Sequence, residues 1–200
     1  MIASFVAEFS GILIFLFIFW KRLKEDYSSE IIFRTASFVL TGILISWLIS
    51  LRFYPPAFLW FEFLGALAGL SVASFTLRLR FYETLEALIV ASLPWLSFLF
   101  LKDSVTESSL ISFFVFLAVL VFIFVFYYLD IHYKRFSWYK SGKIGFSGLA
   151  TIGLIFAVRS AIALSGITVI SFLSRIEAYV SGIAAILAFT LLFNLGRQKK

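Results

Sequence analysis

Residues 109–129 read SLISFFVFLAVLVFIFVFYYL, a stretch without a single charge. An α-helix rises about 1.5 Å per residue and the hydrocarbon core of a bilayer is about 30 Å thick, so a run of about 20 apolar residues is long enough to cross. Outward from this stretch the pattern repeats, with charges interrupting apolar runs at 2–20, 31–53, 56–77, 82–101, 109–129, 145–164 and 176–195. The reading is an all-α polytopic membrane protein, a bundle of seven transmembrane helices forming one integral domain over residues 1–200. Composition agrees: 62% of the residues are hydrophobic, 14% are charged and the mean hydropathy is +1.04. A soluble domain is nearer half apolar and a quarter charged.

The connections are short and polar. KRLKED (21–26) follows the first run, Tyr54-Pro55-Pro56 separates the second from the third, and RLR (78–80), KDSVTESS (102–109) and HYKRFSWYKSGK (132–143) follow in turn. Pro56 suits the first turn of a helix, where its missing N–H has no partner to lose. With the amino terminus outside and the carboxyl terminus inside, the inner side collects Lys21, Arg22, Lys24, Arg78, Arg80, Lys134, Arg135, Lys140, Lys143, Arg197, Lys199 and Lys200, most of the 17 basic residues. That is the asymmetry the positive-inside rule expects. It also accounts for the net charge of +6 without nucleic acid as a partner.

Several chemistries are excluded by inventory. There is no cysteine and one histidine, His132, so disulfides, thiolate metal sites and multi-histidine metal centres are ruled out, and no cofactor is expected. Lys140-Ser141-Gly142-Lys143 lacks the glycine spacing and helix context of a phosphate-binding loop. The spans show no internal repeat of the kind that marks many transporters. The glycines of GALAG, Gly65 and Gly69, have the spacing that lets helix backbones approach closely, and Pro94 interrupts the fourth span.

Ionisable side chains inside a span are expensive and therefore candidates for function. Arg159 lies fourteen residues into the sixth run, about 21 Å along it. Glu62 in the third run, Glu8 in the first, and Arg175 with Glu177 at the opening of the seventh fall at a similar depth. Two readings stand side by side. One is a salt-bridge cluster that holds helices together. The other is a polar pocket open to lipid, in which Arg159 grips a phosphate and a glutamate balances charge or moves a proton. Toward the opposite end, Glu30 with Arg34 and Asp130 with Lys134 have i,i+4 spacing, and Glu83 and Glu86 stand near Arg78 and Arg80. These read as solvated pairs at the water boundary.

From the fifth run onward, the succession SLISFFVFLAVLVFIFVFYYL, a basic loop, and SGKIGFSGLATIGLIFAVRSAIAL resembles the prolipoprotein diacylglyceryl transferase family. FEFLGALAGL in the third run is similar to that family's GGLSFHGGLLG stretch, with Phe63, Gly65 and Gly69 matching. The resemblance implies a bacterial plasma-membrane enzyme that moves diacylglyceryl from phosphatidylglycerol to the cysteine of a lipoprotein precursor. It puts Arg159 at the phospholipid phosphate; Glu8, Arg175 and Glu177, at the same depth, are read as substrate-binding beside it, and Glu62, one residue from the place of the family's histidine, as the proton acceptor. The departures are specific: Leu64 stands where the family has its functional histidine, and Leu99-Phe100-Leu101-Lys102-Asp103 replaces the GRIGNF signature. Phe9 replaces a tyrosine, and apolar residues around Ala163 replace a glutamate. The same architecture without turnover, binding anionic phospholipid or a membrane partner, is the alternative; a small transporter is the third.

Overall fold

The computed structural model describes residues 2–136, 138–139, 144–167, 169–173 and 176–197, with only the backbone described for 2–7. Its helices are α1 (Ile2–Leu23), α2 (Ser29–Phe53), α3 (Phe58–Leu77), α4 (Phe81–Thr106), α5 (Leu110–His132), α6 (Phe146–Leu164) and α7 (Ile176–Arg197). Among the described residues there is no strand. Six of these helices, α2 to α7, are long and apolar enough to cross a membrane, and α1 extends for 22 residues. Seven helices thus stand where seven runs are read, and the chain is an integral membrane protein.

Local chemistry sets the helix ends. Pro55–Ala57 forms one tight turn that leads directly into α3, with the prolines at its start. Arg78 closes α3 in the left-handed region at φ 54°, and its N–H returns to the Ser74 carbonyl. The Ser109 hydroxyl caps α5 by accepting the Ser112 N–H at 3.3 Å. Gly145, at φ 78°, turns the chain into α6 through a conformation that a side chain would strain. α4 continues through Pro94, whose ring nitrogen cannot bond the carbonyl four residues back. It also runs to Thr106, beyond the expected 101, because Lys102 and Asp103 find side-chain partners and remain helical.

Contacts between helix ends fix the course of the chain. Lys102 at the end of α4 meets Glu8 near the start of α1, while Glu86 near the start of α4 meets Arg22 at the end of α1. Glu177 at the start of α7 meets Arg159 near the end of α6. The helices therefore alternate in direction, and the bundle has an Arg22 end and an Arg159 end. α4 is the central, most buried helix.

The packed core gathers toward the Arg22 end: Phe15, Phe19 and Leu23 of α1, Ile32 and Val39 of α2, Leu70 of α3, Leu85 to Ala91 of α4, Phe146 and Leu149 of α6, and Leu192 and Leu195 of α7. Phe75, Phe114, Phe124, Ile131, Leu164 and Ile186 project from the bundle surface. Such a surface would aggregate in water and is at home in lipid. α2 and α3 pack most closely at glycine: a Cβ on Gly65 would lie 2.4 Å from the Gly42 carbonyl oxygen, and one on Gly69 would lie 2.4 Å from that of Phe38. The expectation drawn from GALAG holds, and α2 is the helix that it meets.

Candidate functional site

At the Arg159 end, α3, α6 and α7 converge on one carboxylate. Glu177 is fully buried and accepts four kinds of donor: the Arg159 guanidinium through Nε, the Trp60 indole N–H at 3.0 Å, the Leu173 N–H at 3.0 Å and the Ser181 hydroxyl at 2.6 Å. A buried carboxylate persists only when its oxygens are satisfied in this way. Arg159 is held from other sides as well. Its Nη2 donates to the Ser171 carbonyl at 2.6 Å, and its guanidinium carbon lies 4.6 Å from the Phe172 ring centre and 5.8 Å from that of Trp60. Trp60 in turn stacks on Phe156, with centroids 5.2 Å apart, and Ser171 accepts the Leu59 N–H at 3.1 Å.

Arginine carries five N–H donors. Among the described residues, Nη1 of Arg159 makes no hydrogen bond. The guanidinium is thus fixed in direction by Glu177, Ser171 and two aromatic rings, with one edge unused. Such an arrangement is suited to an oxyanion brought to that edge, although Glu177 balances much of its charge.

Arg159 and Glu177 are thereby brought together, as the shared depth of their runs anticipates. Glu8 pairs with Lys102 at 2.5 Å. Glu62 is partly buried within electrostatic reach of Glu8 and carries no hydrogen bond or ion pair among the described residues. No bond joins Glu62 to Arg159. Arg175 lies outside the described residues, as does Lys140-Ser141-Gly142-Lys143.

The Arg22 end holds a second cluster. Arg22 Nη2 donates to Glu86 at 2.8 Å and to Asp130 at 2.7 Å, while Nη1 reaches the other Asp130 oxygen at 3.3 Å. The Ser147 hydroxyl lies 2.7 Å from Glu86 and 3.2 Å from Asp130, and the Gly145 N–H donates to Glu86 at 2.7 Å. Four helices meet there, and Glu86 is only 4% exposed. This corrects the reading of Glu86 and Asp130 as solvated boundary charges: both are buried, because the α6 entry and Arg22 supply the donors that water would have supplied. Glu30–Arg34, at 2.6 Å, is exposed on both sides as expected, whereas Arg80–Glu83, at 2.9 Å, joins an exposed arginine to a largely covered Glu83 side chain that also accepts the Tyr27 hydroxyl at 3.1 Å. Just outside the spans, burial raises the Tyr139 phenol to about 12, with the charge of Glu86 adding to the effect, and its hydroxyl donates to the Ile144 carbonyl at 2.7 Å.

The fold and these clusters define an integral helical membrane protein with interhelical ionic contacts at both ends, the Arg22 and Arg159 clusters among them. Comparison with protein families, curated proteins and solved structures finds no match to the chain.

Proposed function

We propose that the protein binds an anionic phospholipid, phosphatidylglycerol by preference, with its phosphate at Arg159. On this reading it is a diverged relative of the prolipoprotein diacylglyceryl transferases in a bacterial plasma membrane, with the amino terminus outside. One observation carries the proposal: Arg159 is anchored at a junction of three helices with a donor edge that no described residue uses. A guanidinium needed only to neutralise Glu177 has no use for that edge, whereas two phosphate oxygens can take it in the planar geometry they favour. Native mass spectrometry of the gently extracted protein tests the reading. The wild type should retain one more phosphatidylglycerol than Arg159→Ala; equal numbers on both would overturn it.

Turnover is a second reading, favoured by the carboxyl of Glu62, which has no hydrogen bond or ion pair among the described residues. In the transfer, the precursor thiol would give its proton to Glu62 and the sulfur would form a bond to the glyceryl carbon. The carbon–oxygen bond to phosphate would break, and glycerol phosphate would leave with its charge against Arg159. A labelled lipoprotein-precursor peptide incubated with phosphatidylglycerol and the purified protein checks this. Thioether product that disappears in Glu62→Gln, with lipid retention unchanged, supports turnover; absence of product from the wild type leaves binding alone.

A further inference from the structure

A groove of about 540 Å³ runs along the outer face of the α2–α3 pair, far from Arg159 in the sequence and on different helices from α6 and α7. Its floor is the close glycine contact of Gly42, Gly65 and Gly69, and its walls include Thr41, Ala68 and Val72. On α2 it extends from Arg34 to Ser46, which is about 18 Å at helical rise. This is close to the depth of one leaflet, about 15 Å of hydrocarbon, and well short of a full crossing. Beyond Ser46 the exposed bulky side chains Trp47, Leu48, Leu51 and Phe53 take over.

Both ends of the groove matter to what fits it. The Arg22 end of the groove opens at Arg34, only five residues into α2, with an exposed guanidinium that spends one nitrogen on Glu30 and leaves its other donors unused among the described residues. Arg78 closes α3 at the same end and is also exposed. Positive charge at the water boundary above an apolar, leaflet-deep furrow is complementary to one amphiphile.

We infer that the α2–α3 groove is a second lipid site, which seats one acyl chain of a membrane glycerophospholipid along Gly42, Gly65 and Gly69 and meets its phosphate with Arg34. The inference does not depend on the Arg159 reading, so its test is run in the Arg159→Ala background. Delipidated protein is exchanged into detergent containing dioleoyl phosphatidylglycerol, or oleate alone, and retained lipid is counted by native mass spectrometry. One phospholipid should remain bound. Ala68→Phe, which fills the groove from an exposed position, should lower its retention by about tenfold, the equivalent of about 1.4 kcal/mol. Arg34→Ala should weaken it severalfold, and oleate should not substitute. Thr41→Phe gives a second blockade from the opposite wall, and melting temperatures near that of the parent verify that both variants fold. Retention unchanged by either blockade would overturn the site. Oleate held as tightly as phospholipid, with no effect of Arg34→Ala, would overturn the phosphate contact. A dimer that disappears in Ala68→Phe would assign the groove to a second copy of the chain instead.

Discussion

Two arginines hold opposite ends of the bundle, and they do so differently. Arg22 is shared between carboxylates from two helices, Glu86 of α4 and Asp130 of α5, and both also lean on Ser147 at the start of α6. Arg159 serves one carboxylate that three other donors also reach, and it retains an edge that no described residue uses. The first arrangement consumes its cation to make two buried charges tolerable. The second keeps its cation oriented by neighbours that would survive without it. Burial of charge alone therefore does not distinguish a helix bolt from a ligand site; the number of partners that depend on the cation does.

Removing each arginine should break this comparison or sharpen it. Arg22→Met leaves two buried carboxylates without their shared cation, a class of change that costs about 3–5 kcal/mol. Unfolding in mixed detergent micelles, followed by circular dichroism, measures the loss. Arg159→Met leaves the buried Glu177 without its cation and removes the bond to Ser171, but Trp60, Leu173 and Ser181 still donate to the carboxylate, so the cost should lie at the low end of that range, about 3 kcal/mol. Equal losses at the two positions would show that both clusters are bolts, and the case for a ligand at Arg159 would weaken accordingly.

The helices were legible because hydrocarbon thickness imposes a length that apolar runs display directly. Their exact ends were less so: charged and hydroxyl residues such as Lys102 and Thr106 prolong α4 once Glu8 and the Lys102 carbonyl provide partners. Arg159 and Glu177 could be paired by depth, since they flank one connection between antiparallel helices. Arg22, Glu86 and Asp130 could not, because Arg22 is 64 residues from Glu86 and 108 from Asp130, and each residue near a span end resembles a solvated charge. One signal was present nonetheless. Glu86 has Tyr82 and Val90 at i−4 and i+4 and Glu83 and Ile89 at i−3 and i+3, so no cation on its own helix face balances it.

A smaller effect is expected where a pair is more exposed. Lys102 and Glu8 also join α1 to α4, but the Glu8 side chain is 62% exposed. Lys102→Ala should therefore cost no more than about 1 kcal/mol, the upper range for a solvated pair. Measured in the same micelles, a loss comparable to that of Arg22→Met would show that lipid or protein shields the Arg159 end more fully than its geometry suggests.

The finest probe of the contrast is Tyr139, which sits beside the Arg22 cluster. Burial, followed by the charge of Glu86, raises its phenol from the ordinary 10 to about 12. The folded protein therefore holds this proton more tightly than the unfolded chain. Its contribution to stability is complete below pH 10 and is lost as pH rises from 10 toward 12. Ultraviolet titration of the wild type against Tyr139→Phe should isolate one phenol ionising late. In Glu86→Gln the same phenol should ionise at lower pH but still above 10, because the charge is removed while the burial remains. An unchanged titration would mean that Arg22 already cancels the field of Glu86 at this distance, and the Arg22 end would then be electrostatically as closed as it is sterically.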